Sequence, residues 1–271
     1  MINCLKRLVF INAVLFYIFL FNGCSSDKEL ISNWTNHQIK IDGATSDWQN
    51  NLEYLSDENI ALGFKNDSKY LYICLATSDF SKVFPMFRSG FIIWFEPEND
   101  GKIIGIKYPM HNILSNGEMM PNQNERANNN EDHSEFIQKM LERQNEMQIL
   151  NEDKHPLTDL PTENKEGIKA KLGYNSDRFV YELQVPLGNN NLAYQISALP
   201  GENIKVKFET EELDRKNFQG RGMRPDGGMG GERPGGFGGG RSRGGMRPGM
   251  NNGRENFEPL NFSVNVALKK D

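Results

Sequence analysis

The sequence predicts an all-β protein, an antiparallel β-sandwich of the jelly-roll-like kind with one inserted α-helix and long disordered loops. Three observations lead to this fold class. About ten short segments are rich in β-branched and aromatic residues. Turn-forming residues separate these segments at roughly 8–12 positions, the spacing typical of sandwiches. Several segments also face each other across a short turn of Asn, Asp, Ser or Gly.

Three β-hairpins are predicted in chain order. The first joins "IALGFK" to "YLYICLAT" across "NDS", the second joins "GFIIWFEP" to "KIIGIKYP" across "ENDG", and the third joins "GIKAKLGY" to "RFVYELQVPL" across "NSD". Asn and Asp tolerate the dihedral angles of tight turns and bond their own backbone there. Both faces of "YLYICLA" are apolar, which predicts a strand buried on two sides with Cys74 as a small core residue.

Four further strands complete the predicted sandwich domain, which spans residues 38–271. They are "HQIKIDG", "LAYQISAL", "IKVKFETEE" and "LNFSVNVAL". The last two lie on either side of a long Gly-rich segment, and we expect them to pair as neighbours because the entropy of loop closure grows only logarithmically with length.

Two insertions interrupt the strand pattern. Residues 111–166 contain one predicted amphipathic helix, 134–150, with Ser134 as its N-cap and an apolar face that includes Ile137, Met140 and Leu141. Residues 219–254 hold 15 Gly and seven Arg among 36 residues. Because Gly loses the most backbone freedom on folding and there is little here to bury, this segment is predicted to be a disordered loop.

The first 23 residues have the features of a secretory signal peptide. Lys6 and Arg7 precede a 14-residue run, 8–21, that is apolar except for Asn12 and too short for a comfortable transmembrane helix. Gly23 before Cys24 resembles the lipobox of bacterial lipoproteins, which implies a lipidated Cys24 followed by a polar tether, 24–37. An ordinary signal peptide is the alternative. The lipobox implies a membrane partner in the cell envelope. Ser25 directly after Cys24 and the acidic residues behind it resemble the sorting signals of outer-membrane lipoproteins, which implies a location at the outer membrane, facing the periplasm or the surface.

Charge and cysteine content agree with an exported protein. The net charge is −5, and loss of residues 1–23 with Lys6 and Arg7 leaves −7. Residues 219–254 carry +5, so the remainder of the mature chain is about −12. Although the Gly/Arg pattern is similar to RNA-binding segments, nucleic acid is not the expected partner behind a signal peptide. A mobile spacer or contact with an anionic envelope partner is expected.

The stretch "IKIDGATSDWQ", residues 39–49, resembles the "IDG…DW" entry of family 9 carbohydrate-binding modules and their DOMON-like relatives. The resemblance continues through "YLYICLATSD", "GFIIWFEPENDGK" and "RFVYELQVPL". The residues themselves indicate a structural motif: Asp42 accepts backbone N–H groups, Gly43 adopts a turn dihedral, and Asp47 leads into Trp48, which plugs the sandwich and donates its indole N–H to a carbonyl.

Carbohydrate binding is what the family implies, and sugar-binding members use a pair of Trp. No such pair is evident among Trp34, Trp48 and Trp94. The candidate ligand-binding residues are therefore Phe84, Phe87 and Arg88, in a loop-like apolar stretch. Contiguous exposed apolar clusters mark binding sites, but they also close the ends of sandwiches, and packing is the favoured interpretation for these residues.

The chain lacks the sequence signatures of enzymes, so no catalytic residue, metal site or cofactor is predicted. Haem-linked electron transfer through Met110 and His111 is a remote alternative. The sequence thus predicts a lipid-anchored, non-catalytic binding module with a glycan as its expected ligand. The rival is a structural or protein-interaction lipoprotein without a sugar site, partnered by an envelope protein.

Overall fold

The structure is a computed structural model that describes residues 28–99, 101–110, 137–188, 192–211 and 259–271. Two β-sheets pack face to face over these residues, which confirms the predicted all-β sandwich. The strands are β1 (Lys28–Ile31), β2 (Asn33–Trp34), β3 (Glu53–Leu55), β4 (Ile60–Asn66), β5 (Tyr70–Thr77), β6 (Phe91–Pro97), β7 (Ile104–Lys107), β8 (Glu146–Asn151), β9 (Pro156–Pro161), β10 (Lys169–Asn175), β11 (Arg178–Pro186), β12 (Asn203–Thr210) and β13 (Asn261–Ala267).

The strand order places the two termini of the described chain side by side. One sheet has seven strands in the order β1-β13-β12-β6-β7-β8-β9, and the other has β10-β11-β5-β4-β2 with β3 also paired to β4. Within the described ranges the ladders are antiparallel except for β1 with β13 and β2 with β4, which are parallel. The main apolar core lies between the sheets.

Strand β5 is buried on both faces, as its sequence predicts. Leu71, Ile73 and Leu75 point into the core between the sheets. Tyr72 and Cys74 point to the opposite face, where they pack under the segment that precedes β3. Cys74 is a free, buried thiol.

All three predicted hairpins form, as β4–β5, β6–β7 and β10–β11. In the third turn both Ser176 and Asp177 have positive φ, 50° and 57°, which are the left-handed values that suit a tight hairpin. Strands β12 and β13 pair antiparallel across the long Gly-rich segment, as expected. Residues 219–254 themselves lie outside the described residues, as do residues 1–23 and Cys24.

The polar tether predicted for residues 24–37 is wrong from Lys28 onward. β1 pairs with β13 over four residues, and β2 pairs with β4. Between the two strands, buried Ser32 donates its backbone N–H to the Ala267 carbonyl at 3.1 Å and its hydroxyl to the Asn66 side chain. This polar segment joins both sheets because strands far along the chain pair with its backbone N–H and C=O groups.

Two predicted strands are absent. "HQIKIDG" is extended but belongs to neither sheet, because it crosses the outer face of the six-stranded sheet and buries Ile39 against it. Its alternating pattern serves packing without a strand partner. "LAYQISAL" makes a single bridge, from Ile196 to Leu187, within its described residues.

The helix predicted for 134–150 is too long. Residues 137–142 are helical, with Ile137 and Met140 buried, and the predicted N-cap Ser134 lies outside the described residues. Residues 146–151 form β8, which pairs with β7, and β9 follows. Met147 and Ile149 alternate toward the core, so pairing with a distant strand overrides the local helical pattern.

One helix lies in a region predicted to be a loop. α1 (Phe80–Ser89) begins after Asp79, whose side chain accepts the Ser81 N–H. No helix in the described part of the chain is both long and apolar enough to cross a bilayer.

Candidate functional site

A buried carboxylate holds the Asp-Gly turn against the six-stranded sheet. Glu182 lies in β11 on the outer face of the sheet and is fully buried. Its Oε2 accepts the backbone N–H of Asp42 at 2.8 Å and that of Gly43 at 2.6 Å. Its Oε1 accepts the indole N–H of Trp48 at 2.7 Å. One side chain therefore fixes the turn and the tryptophan together.

Trp48 is 1% exposed and packs on the outer face of the sheet, not between the two sheets. Its indole N–H meets the Glu182 carboxylate, which corrects the expected carbonyl partner. The Lys65 ammonium lies 5.5 Å from the ring centroid and donates to the Asp47 carbonyl at 2.6 Å. The Asp47 side chain accepts the Lys40 N–H at 3.1 Å. The motif is a clamp for the segment that crosses the sheet.

Burial raises the pKa of Glu182 above its ordinary value, and the bonds from Trp48 and the turn backbone offset only part of that rise. The nearby Asp42 carboxylate adds to the rise. Asp42 itself accepts the Ala44 N–H at 3.0 Å and pairs with Lys40 at 2.9 Å. These bonds occupy both oxygens of the Asp42 side chain.

The Asp-Gly turn contacts the edge strand β10 at two glycines, Gly43 in the turn and Gly173 in the strand. Gly43 has φ 77°, and a Cβ there would lie 2.8 Å from the backbone of Leu172 and Gly173. A Cβ on Gly173 would overlap the Gly43 carbonyl. Glycine at both positions lets the two backbones touch, which sets one wall of a cleft.

The cleft has a volume of about 790 Å³ and runs along β10, the outer strand of the six-stranded sheet. Its lining is mostly polar. It consists of Asp42, Gly43, Ala44, Thr45, Ser46, Tyr108, Gln138, Leu141, Glu142, Lys171, Leu172, Gly173, Tyr174, Asn175, Ser176, Arg178 and Val180.

The β10–β11 hairpin supplies several exposed polar groups of the cleft. Lys171, Asn175 and Arg178 are exposed, and Tyr174 beside them is half-buried. The Tyr174 hydroxyl donates to Asp177 at 3.1 Å. Burial and that carboxylate raise the pKa of Tyr174, so its hydroxyl stays protonated at neutral pH.

The insertion forms the opposite wall of the cleft and covers the edge of β10. Gln138 donates from Nε2 to the Tyr174 carbonyl at 3.1 Å, and Ala170 donates its N–H to the Thr162 carbonyl at 3.2 Å. The buried Tyr108 hydroxyl donates to the Gln144 carbonyl at 3.2 Å. Residues far apart in the sequence thus satisfy backbone groups that an edge strand otherwise exposes.

The structure does not support Phe84 and Phe87 as a ligand platform. Both lie on α1 and are 5% and 1% exposed, respectively. Phe87 packs edge-on against Phe179 at 5.8 Å between ring centroids. Packing, the interpretation that the sequence favours for this cluster, is what the helix achieves, and Arg88 lies half-buried in its last turn.

Two of the three Trp residues are buried, so they form no exposed sugar-binding pair. Trp48 is in the clamp, and Trp94 is 4% exposed on the outer face of the seven-stranded sheet, where it donates to Glu209 at 3.1 Å. Trp34 is half-buried in β2. Of the proposed haem pair, Met110 donates its N–H to the Gln144 side chain at 3.1 Å, and His111 lies outside the described residues.

Glu182 and the cleft residues of β10 were missed from the sequence. A signal for Glu182 exists in "FVYELQVPL", where one carboxylate interrupts an otherwise apolar strand, because a buried charge requires partners. Lys171, Tyr174 and Arg178 carry no such signal, since exposed polar residues near a hairpin are common in any sandwich. Among the described residues, no cluster of potential metal ligands occurs.

Comparison with known proteins gives structural matches only. The chain is similar to a family 9 carbohydrate-binding module from Caldicellulosiruptor kristjanssonii in complex with glucose, at 12% identity over 70% of this chain and 81% of that one, with a TM-score of 0.34. The chain is also similar to such a module in complex with cellotriose, at 13% identity over 70% of this chain and 79% of that one, with a TM-score of 0.35. No family model matches the chain, and no curated protein matches it. Both structures belong to the family that the sequence resembles.

Proposed function

We propose that this chain is a lipid-anchored, non-catalytic binding module of the cell envelope whose cleft along β10 holds a carbohydrate. The observation that carries the proposal is the cleft of about 790 Å³ with its hydroxyl, amide and charged side chains. That volume is within the range of small-ligand sites.

The chemistry of the cleft suits a sugar. Sugar hydroxyl groups both donate and accept hydrogen bonds, so they require a dense set of both kinds of partner. Thr45, Ser46 and Asn175 offer both kinds, Lys171 and Arg178 donate, and all five line the cleft. The half-buried ring of Tyr174 supplies an aromatic surface for the apolar face of a pyranose.

A binding role fits the arrangement of the carboxylates. Asp42 is committed to Lys40 and to its own turn, and Glu182 is committed to three N–H donors. Neither therefore serves as an acid or base for a ligand in the cleft, which leaves Glu142 as the remaining carboxylate of the lining, without a second one to pair with it in acid–base chemistry. The site holds and orients a ligand through its polar side chains.

A glycan array probed with the mature chain tests the proposal. We expect binding that is weakened in Lys171→Ala and Arg178→Ala but kept in Lys102→Ala, a matched exposed control outside the cleft. Titration calorimetry with the best glycan then ranks the variants. If no glycan binds, or if the cleft variants bind like wild type, the sugar site is excluded and the rival protein-interaction module is favoured.

The anchor and the location have separate tests. Mass spectrometry of the membrane-extracted N-terminus should find lipid on Cys24, and Cys24→Ser should move the protein to the soluble fraction. Protease treatment of intact cells distinguishes a surface-facing from a periplasmic outer-membrane lipoprotein. An unmodified N-terminus that starts at another residue would exclude the anchor.

A further inference from the structure

The first strand of the sandwich begins only a few residues after Cys24, the proposed lipid site. Only residues 25–27 separate Cys24 from Lys28, where β1 begins. Four steps of extended chain span at most about 14 Å. β1 is then held by its ladder with β13, and Ser32 bonds the Lys269 N–H at 2.9 Å. A lipid on Cys24 would therefore hold one particular edge of the sandwich close to the bilayer.

That edge is formed by both sheets and is called the anchored edge, residues 28–34 and 53–55. β1 is the last strand of its sheet, and β2 and β3 flank β4 at the border of the other. Lys28 of β1 pairs with Glu53 of β3 at 2.7 Å, which shows that the two borders meet on one side of the molecule.

The anchored edge exposes apolar and aromatic side chains. Ile31 is 70% exposed on the outer face of the seven-stranded sheet and Tyr54 is 60% exposed on the outer face of the other sheet, so two of the four highly exposed large hydrophobic residues in the described chain flank this edge. Trp34 is half-buried on the same edge, with its indole N–H bonded to Asn36 at 2.9 Å. Tyr and Trp favour the membrane–water interface because one part of each ring is apolar and another is polar.

We propose that the anchored edge lies against the surface of the membrane that holds the lipid, with Ile31, Trp34 and Tyr54 in the interfacial region. The inference rests on the lipid anchor of the proposed function. Lys28 pairs with Glu53, and exposed Glu29 gives the edge a net charge of −1, so the contact relies on apolar and aromatic groups and not on attraction to anionic lipid.

This orientation directs the cleft away from the bilayer. The strand order β10-β11-β5-β4-β2 puts the cleft at the opposite border of the six-stranded sheet from β2. Four interstrand spacings separate the two borders by about 19 Å. The cleft then faces the aqueous side, where an extended glycan can reach it without passing along the lipid surface.

Tryptophan quenching by lipids with brominated acyl chains tests the orientation. The mature chain is attached to vesicles of phosphatidylethanolamine and phosphatidylglycerol, either by its native lipid or by coupling the Cys24 thiol to a maleimide lipid. Coupling is selective because burial raises the pKa of the Cys74 thiol and shields it. We expect brominated vesicles to reduce the emission of the wild-type chain and Trp34→Phe to lose that reduction, since Trp48 and Trp94 are buried.

Two added tryptophans serve as matched probes in the Trp34→Phe background. Tyr54→Trp on the anchored edge should be quenched, and Asn175→Trp at the cleft should not. Equal quenching of both probes, or no loss of quenching in Trp34→Phe, would overturn the orientation. The maleimide-coupled chain reports the orientation even if Cys24 carries no native lipid. The glycan array tests the cleft independently. Failure of the orientation and failure of the sugar site are therefore distinguishable.

Discussion

At the scale of single residues, Glu182 fastens the Asp-Gly turn and Trp48 to the six-stranded sheet. It is a buried carboxylate with three N–H donors, from Trp48, Asp42 and Gly43. All three donors bond to this one buried carboxylate. Each donor that lost its hydrogen bond would keep its full desolvation cost and destabilise the fold. The segment that forms one wall of the cleft depends on this one side chain.

Glu182→Gln should therefore lower the free energy of unfolding by roughly 1–3 kcal/mol. The amide NH₂ group must face either the indole N–H or the two backbone N–H groups, so at least one donor meets another donor. Urea denaturation measures the change. Asp47→Asn is the matched control, since that side chain accepts an exposed backbone N–H and should change stability little. Equal effects of the two substitutions would contradict the role assigned to Glu182.

The same residue makes stability depend on pH in a defined direction. Burial raises the pKa of Glu182, so the folded state holds its proton more tightly than the unfolded state. Its contribution to stability is then fully present below the unfolded pKa and is lost as pH rises through the folded pKa. On acidification from pH 7 toward 4.5, wild type should gain stability relative to Glu182→Gln. A constant difference between the two denaturation curves would rule this out.

At the scale of elements, the contact of the Asp-Gly turn with β10 requires glycine on both sides. Gly173→Ala should lower the free energy of unfolding by about 1–3 kcal/mol, because the new methyl group overlaps the Gly43 carbonyl. It should also weaken glycan binding by displacing the cleft wall. Lys171→Ala on the same strand is exposed and should keep the stability of wild type. Thermal unfolding separates the two, and an unchanged Gly173→Ala melting temperature would refute the contact.

At the scale of the whole molecule, the pairing of β12 with β13 is closed by bonds next to its own ends. Thr210 donates to the Leu260 carbonyl at 2.8 Å, and Leu260 donates to the Thr210 hydroxyl at 3.1 Å, which closes the connection. Deleting residues 219–254 shortens the connection between 211 and 259 about fourfold. If that segment is flexible, as its composition predicts, stability should rise by about 1 kcal/mol through lower loop-closure entropy. A loss of stability on chemical denaturation would show that the segment contributes contacts.

The sequence by itself determined the sandwich class, the three hairpins and the double burial of β5. These features follow from alternation and turn chemistry, which act between neighbours in the chain. Predictions failed where distant residues decide the outcome. β1 needs β13 as a partner, "EMQIL" becomes β8 because β7 lies beside it, and a segment predicted to be a loop forms α1.

The candidate site belongs to this second group. Tertiary structure alone brings the Asp-Gly turn, the end of the β10–β11 hairpin and the insertion around one cleft. The physical reason is that a strand pattern specifies which side chains are buried, whereas the partner of each strand is set by pairing and packing across the whole chain. Exposed polar residues such as Lys171 and Arg178 have no local signal that separates a binding wall from an ordinary hairpin.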